Sequence, residues 1–448
     1  MQAFLERRFQ LSRHGTRVRT EILAGATIFA TLSYILFVQP AVLEAAGMDF
    51  GAVLWATCVA SALGSLLMAF MANYPIAVAP AMGHNFYFAF TVCGGVAVGG
   101  MGYSWQEALA AVFVASALFV LLSTVGLRER VLEQMPACLQ RAIPGGIGLL
   151  IALVGLEWSG IVVAVPGTYI GLGDLGQPPA LAAWTGIAVA ALLLARGTRG
   201  AILSGIVAAT LVGAALGFVE YRGLFGLPVV NDPAAFKLDL PGLVRSPDAA
   251  LVVLVFFFLA LFDTIGTLVG VAEKAGLLVN GKLPRARRAL LADAIGTTCG
   301  AMLGTSTITS YIESAAGVAE GGRTGLTAVV VAIGFLLAIA FSPLIQMVGG
   351  AIETESGRLY PCVAPALVIV GCLMLQPLSR IAWDDWSEAF PAFLTLVMMP
   401  FTFSITEGIA FGFISYTALK LAAGRAHEVR ALVAFFAVAF LLRALFLT

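Results

Sequence analysis

Apolar runs of bilayer length follow one another along almost the whole of this chain, and no stretch between them could hold a sizeable water-soluble domain. A span needs about 20 apolar residues, because a helix must cross roughly 30 Å of hydrocarbon at about 1.5 Å per residue. Within that layer no water satisfies backbone N–H and C=O groups, so such runs fold as helices. The candidate spans are residues 22–42, 52–72, 76–97, 108–125, 147–165, 181–195, 201–219, 251–271, 289–303, 308–319, 326–348, 364–378, 390–403 and 405–421, fourteen in all. A further run, 429–446, reads as an added span or as an interfacial helix. Only 11% of the 448 residues are charged, against about 25% in soluble domains. The expected class is therefore an all-α polytopic membrane protein.

Several functions are excluded on the same page. Positive and negative charges balance, 25 against 25, and sit mainly in loops. No basic patch interleaves with aromatic residues, so nucleic acid is not an expected partner. The six cysteines are scattered through apolar runs without a CxxC or Cys/His cluster, so neither a disulfide framework nor a metal site is expected. No phosphate-binding G-x-x-x-x-G-K-[ST] loop, G-x-S-x-G elbow or H-E-x-x-H helix occurs. The chain is read as no enzyme, with no catalytic residue and no cofactor. Arg7, Arg8, Arg13, Arg17 and Arg19 lead into a full-length first span without a small-residue cleavage site, so no cleaved signal peptide is expected.

Lys and Arg in short loops set orientation. With the spans counted as above, the N-terminal arginines, Arg128, Arg130, Arg141, Arg196, Arg199, Lys282, Arg285, Arg287, Arg288, Arg323, Arg380, Lys420 and Arg425 fall on one side. That side is the expected cytoplasm and holds the N-terminus. The longest polar stretch, 220–246, follows seven spans and precedes seven more. An odd number of spans per half makes any structural repeat an inverted one. The third span of each half is interrupted. One carries Pro75, Pro80, Gly83, His84 and Asn85 in NYPIAVAPAMGHNFYFAF (73–90); the other is the Ser/Thr-rich TSTITSYIESAAG (305–317). Transporters built from inverted repeats place substrate between broken helices at such corresponding positions. Simple kinking at Pro75 and Pro80 is the alternative.

Two acids stand at bilayer depth, Asp263 in LVVLVFFFLALFDTIGTLVGV (251–271) and Glu313 in the second broken span. An acid there costs about 2.5 kcal/mol or more, so such groups mark cavities and solute or proton paths. Glu313 opens what reads as a half-helix, where unpaired N–H groups and partial positive charge favour a carboxylate. There it can accept two adjacent N–H donors from a flat heterocycle; a structural cap is the alternative. Asp263 lies mid-span with Thr267 one turn on, suited to carrying a proton or to bonding across helices. Asn85 offers a donor and an acceptor to a heteroaromatic edge, or satisfies the broken backbone. His84 can bind solute or proton, or be structural. Phe86, Tyr87 and Phe88 can stack on a planar ligand or face the core. Asp384 and Asp385 read as loop charges, and Glu407 as a span-boundary residue rather than a ligand.

These motifs resemble the AzgA-like adenine/guanine/hypoxanthine permeases, a branch of the xanthine/uracil permease (nucleobase:cation symporter) superfamily. The resemblance runs over nearly the whole length, through AGATIFATLSYILFVQP, PIAVAPAMGHNFYFAF, LFDTIGTLVGVAEKAGLL, TSTITSYIESAAGVAEGGRTGLTAVVVA and EAFPAFLTLVMMPFTFSITEGIAFGFISYTALK. It implies fourteen spans in two inverted repeats of seven, with short extended segments in broken spans 3 and 10. Spans 1–4 and 8–11 would form a core domain, and spans 5–7 and 12–14 a gate domain. The corresponding segments here are 1–20 (cytoplasmic N-terminus), 21–127 and 249–350 (core), 128–219 and 351–448 (gate), and 220–248 (external connection). Asp263 and Glu313 match the family's binding-site acids and Asn85 its span-3 polar residue. Ala81, His84 and Phe86 depart from the usual GMGLNAYFAY pattern. Gln39 replaces the usual Asn, and Ala260 an acid often found there.

The expected function is uptake of a purine nucleobase with a proton across the plasma membrane, a bacterial inner membrane on this reading. Core would move against gate, and a homodimer would form through the gate. Glu313 would hold ring N–H groups, and Asp263, with Glu313, would serve proton coupling. Asn85, with the backbone at Phe86 and Tyr311, would read the remaining edge, beside Thr267 and His84. The alternatives are another nucleobase or flat heterocycle such as xanthine, uracil or urate, or an anion exchanger on the same fold. An exchanger calls for a fixed positive site near the broken helices, where this chain has two acids.

Overall fold

The computed structural model describes residues 2–95, 100–125, 135–165, 167–277, 283–354 and 357–446. Of the cations used to orient the chain, Arg128, Arg130 and Lys282 lie outside these residues.

The apolar runs fold as helices. The first divides into Val18–Leu32 and Ile35–Glu44, and the second, Phe50–Leu67, continues through a π-helical turn, Met68–Ala72. Trp105–Val125, Ala137–Trp158, Pro178–Ala195 and Ala201–Ala215 complete the first half. The second half contains Ala249–Lys274, Ala286–Leu303, Gly325–Ala338, Ser342–Gly349, Ala364–Leu373, Trp386–Phe401 and Ile405–Ala422. Side-chain caps close several N-termini that would otherwise leave N–H groups unpaired. Asp49 accepts from the Ala52 amide at 2.7 Å, and Asp385 from the Ser387 amide at 3.0 Å. Asp385 is thus a helix cap as well as a loop charge.

Helix contacts sort the spans into two bundles. Val18–Leu32 and Phe50–Leu67 pack on Gly325–Ala338, and Trp105–Val125 packs on Ala286–Leu303 and Ala249–Lys274. In the other bundle, Ala137–Trp158 packs on Ala364–Leu373 and Trp386–Phe401, and Pro178–Ala195 on Ala201–Ala215. The first bundle is closed by a buried acid. Glu21, 0% exposed, accepts from the Arg323 amide at 2.9 Å, the Thr324 hydroxyl at 2.8 Å and the Thr327 hydroxyl at 2.6 Å. A buried carboxylate persists only with such partners, and here they fasten the first span to the start of Gly325–Ala338.

The third and tenth runs both break. Each is a three-residue strand, Val78–Pro80 or Ile308–Ser310, followed by a short helix, Met82–Phe86 or Ser314–Ala319. The strands pair antiparallel, with Val78 opposite Ser310 and Pro80 opposite Ile308. Their outer edges would be unpaired in a dry interior, and hydroxyls fill them. The Val78 amide donates to Ser65 Oγ at 3.1 Å, the Ala77 amide to Ser314 Oγ at 3.0 Å, and Thr297 Oγ1 donates to the Ile308 carbonyl at 2.6 Å. Extended backbone is tolerated at this depth only when satisfied within protein. Behind the strands, Phe50–Leu67 and Ala286–Leu303 cross at Gly64 and Gly296. A Cβ on Gly64 would stand 2.8 Å from Ile308 Cδ1 and 2.9 Å from Val78 Cγ1, and one on Gly296 would stand 3.3 Å from Gly64 Cα, so the two glycines make room for the strand side chains and for each other.

The C-terminal run forms a helix, Ala431–Phe446, which returns antiparallel along Ile405–Ala422. The pair is tied at both ends. Lys420 Nζ lies 2.7 Å from Glu428 Oε2, and Arg443 Nη1 lies 2.6 Å from Glu407 Oε1. At the first end Arg425 also holds Asp385 and Glu428, whose carboxyls its guanidinium keeps below the ordinary carboxylate range. Midway, Phe436 meets Phe413 at 5.1 Å and Phe258 of Ala249–Lys274 at 4.8 Å. The helix therefore rises beside a full span and touches both bundles. A fifteenth crossing by this helix, added to the fourteen spans expected from the sequence, would put the two termini on opposite faces of the membrane. Reporter fusions at each end are expected to give opposite accessibility, and matching accessibility would exclude a fifteenth crossing.

Candidate functional site

The strand pair at the centre of the first bundle brings the sequence-predicted residues together. Asp263 sits within Ala249–Lys274 and accepts from Thr309 Oγ1 of the second strand at 3.0 Å. His84, in the first short helix, places Nδ1 3.9 Å from Asp263 Oδ2. The His84 ring is buried, at 3% exposure, whereas the Asp263 side chain keeps 44% of its surface open. Glu313 caps the start of Ser314–Ala319 by position and receives Tyr34 Oη of the first span on Oε1 at 2.9 Å. It too is only partly buried. Tyr311, buried, donates its hydroxyl to the Pro80 carbonyl, and Tyr311 and Glu313 both lie within electrostatic reach of Asp263. Thr267 is buried one turn beyond Asp263.

Asn85 belongs to a second layer. It is wholly buried, its Nδ2 donates to Gln39 Oε1, and its Oδ1 accepts from Ser306 Oγ. The ring of Phe86 is also fully buried and packs on Phe90 at 5.3 Å, so this ring faces protein. The Tyr87 hydroxyl accepts from Thr406 Oγ1 at 3.3 Å, at the start of a span in the second bundle.

Several members of the site lie outside the sequence reading. Asp293, 1% exposed, accepts from Thr264 Oγ1 at 2.8 Å and Ser310 Oγ at 3.1 Å. The neighbours Thr309 and Ser310 thus hydrogen-bond to two acids on different helices, Asp263 and Asp293. Asp293 carried the same signal as Asp263, an acid inside an apolar run. Tyr34 had no local signal, and Gln39 stood out only as a departure from a family pattern. Among the described residues no group of three or more His, Cys, Asp or Glu side chains could hold a metal.

Chemically, the arrangement offers two carboxylates with open surface, partnered by hydroxyls and one imidazole, at the crossing of two broken spans. That suits a small solute rich in N–H donors, or a proton, better than an anion.

Comparison with known proteins extends this. The permease family Xan_ur_permease matches residues 19–444. The adenine permease AdeP of Escherichia coli (strain K12) is 43% identical over 455 residues, spanning 100% of this chain and 97% of AdeP. The guanine/hypoxanthine permease PbuO of Bacillus subtilis (strain 168) is 42% identical over 440 residues, covering 97% of this chain and 99% of PbuO. Among solved structures, the transmembrane domain of the cyanobacterial bicarbonate transporter BicA matches with a TM-score of 0.58 at 15% identity, covering 90% of this chain and 97% of that one. At that identity the likeness is one of fold alone: a polytopic helical fold with inverted repeats.

Proposed function

The chain belongs to the xanthine/uracil permease family, and on that premise we propose that it imports purine nucleobases by proton symport. It is a nucleobase permease and not an enzyme; the purine class and the proton are the parts proposed. One observation carries the reading: Asp263 and Glu313 keep open surface where the two broken spans meet. The relatives named for adenine and for guanine/hypoxanthine support the purine class.

In this reading Glu313 accepts ring N–H groups through charge-assisted hydrogen bonds. Asp263 takes the coupling proton, with Thr309 and His84 beside it. Asn85 and the backbone at Phe86 and Tyr311 read the remaining edge. Residues 21–127 and 249–350 act as the mobile core, and 128–219 and 351–448 as the gate, which also serves as the dimer face. The membrane is proposed to be the plasma membrane with the N-terminus inside. Arg8 over Phe70, Arg285 over Tyr74 and Arg323 beside Val318 gather at one end of the core, which supports that orientation.

The test is uptake of radiolabelled adenine, guanine, hypoxanthine, xanthine and uracil into cells lacking their own base transporters, with and without a protonophore. Purine accumulation that the protonophore collapses is expected. Accumulation that ignores the protonophore but needs sodium would overturn the coupling. Uptake of uracil or xanthine alone would overturn the substrate class.

A further inference from the structure

The first span bends where it meets the tenth. Thr31 Oγ1 donates back to the Thr27 and Ile28 carbonyls at 3.1 and 2.8 Å, and Ser33 Oγ to the Ala30 carbonyl at 3.0 Å. Hydroxyls bonded to the preceding turn bend a helix, and here the helix stops at Leu32 and restarts at Ile35. Tyr34 occupies that break. It is 1% exposed, and its hydroxyl crosses to the broken tenth span to donate to Glu313 Oε1 at 2.9 Å. Glu313 itself keeps part of its surface open, so the carboxylate that Tyr34 holds is not sealed in protein.

A glutamate side chain has three torsions, and fixing them when a substrate binds costs conformational entropy. A protein partner that fixes them beforehand removes that cost from the binding step. Tyr34 is suited to this task. Its ring is packed in the apolar core, so its hydroxyl cannot follow the carboxylate about as a water molecule would. The carboxylate also stays usable. It has about four lone-pair positions, and Tyr34 takes one of them on Oε1, so two side-by-side N–H donors can still be received. A purely structural tie between these spans would be redundant. Gly317 of the tenth already lies on the first span, where an added Cβ would stand 2.5 Å from the Ala24 carbonyl oxygen. Glu21 fastens the same span to the start of Gly325–Ala338.

We propose that Tyr34 is a positioning residue for substrate binding: by holding Oε1 it fixes the Glu313 carboxylate in the orientation that receives ring N–H groups. This rests on the reading that Glu313 accepts N–H groups of a purine.

The experiment uses the full-length transporter in cells lacking other base transporters. Apparent affinities for hypoxanthine and its 1-, 3-, 7- and 9-methyl derivatives are measured by competition, alongside maximal rate and membrane level, in wild type and Tyr34→Phe. Adenine and its methyl derivatives take their place where adenine is the base accumulated. In Tyr34→Phe the affinity for the parent base is expected to fall by about 10-fold, with maximal rate and membrane level within about twofold of wild type. In wild type, methylation of the nitrogen whose N–H meets Glu313 should cost the most affinity. That cost should shrink by about fivefold or more in Tyr34→Phe, because a released carboxylate gives way to the methyl group and the two changes are then not additive. An unchanged affinity, or a lower one with every methylation cost kept, would make Tyr34 merely structural and overturn the proposal. So would a fall in maximal rate or membrane level alone. Should Tyr34→Phe not reach the membrane, Tyr34→Met, which fills space without a donor, decides by the same two readings. Wild-type protein indifferent to every methylation would defeat the reading of Glu313 itself, and the proposal with it.

Discussion

Replacing Glu313 by alanine or glutamine should lower purine uptake by about 100-fold or more while leaving the protein in the membrane. The argument starts from what the carboxylate alone can offer. It accepts two N–H groups side by side, and each charge-assisted hydrogen bond is worth about 1.5–3 kcal/mol. Losing two is a change of about 3–6 kcal/mol, or roughly 100- to 10,000-fold in affinity. Glutamine tests the same point more sharply. It keeps the size but turns one acceptor into a donor, which then faces a ring N–H. Insertion should survive, because Glu313 is only partly buried and, among the described residues, the Tyr34 hydroxyl at 2.9 Å is its one side-chain hydrogen-bond partner. Initial uptake rates, scaled to transporter in isolated membranes, are the measurement. A Glu313→Ala protein that still carries purines at near wild-type affinity would remove Glu313 from the site.

How far the site was legible in the sequence depends on whether its signal was local. The spans are visible because a bilayer demands long apolar runs and nothing else in the chain competes. The two interruptions are visible because Pro75, Pro80 and the Ser/Thr-rich 305–310 segment cannot continue as plain helix. Their pairing is another matter. Val78–Pro80 and Ile308–Ser310 are three residues each, far below the length at which alternation shows, and their partners lie in opposite halves. The hydroxyls of Ser65, Thr297 and Ser314 look like ordinary small polar residues until the strand edges they satisfy are known. Gln39 and Tyr34 are single polar groups in an apolar run, and only the fold brings them to Asn85 and Glu313. The C-terminal run is ambiguous by hydropathy, whereas the pairs Lys420–Glu428 and Glu407–Arg443 give its direction and height.

Asp263→Asn should abolish concentrative uptake while sparing downhill exchange of the same base. Asparagine keeps the volume and can still accept the Thr309 hydroxyl that Asp263 Oδ2 accepts at 3.0 Å. It cannot take up and release a proton. Asp263 is placed for that task because its side chain keeps 44% of its surface open, whereas the other span acid near it, Asp293, is 1% exposed and holds the hydroxyls of Thr264 and Ser310. For one proton per base, each unit of transmembrane pH difference is worth about 1.4 kcal/mol, or about tenfold in accumulation. Wild-type cells should therefore accumulate purine more strongly as the medium is acidified. The Asp263→Asn ratio of internal to external base should stay near unity at every pH. Counterflow, in which preloaded unlabelled base drives entry of labelled base, should persist because it needs no net proton movement. If the variant accumulated base with the wild-type response to pH, the coupling proton would sit elsewhere. If counterflow vanished along with accumulation, Asp263 would be holding the substrate rather than the proton.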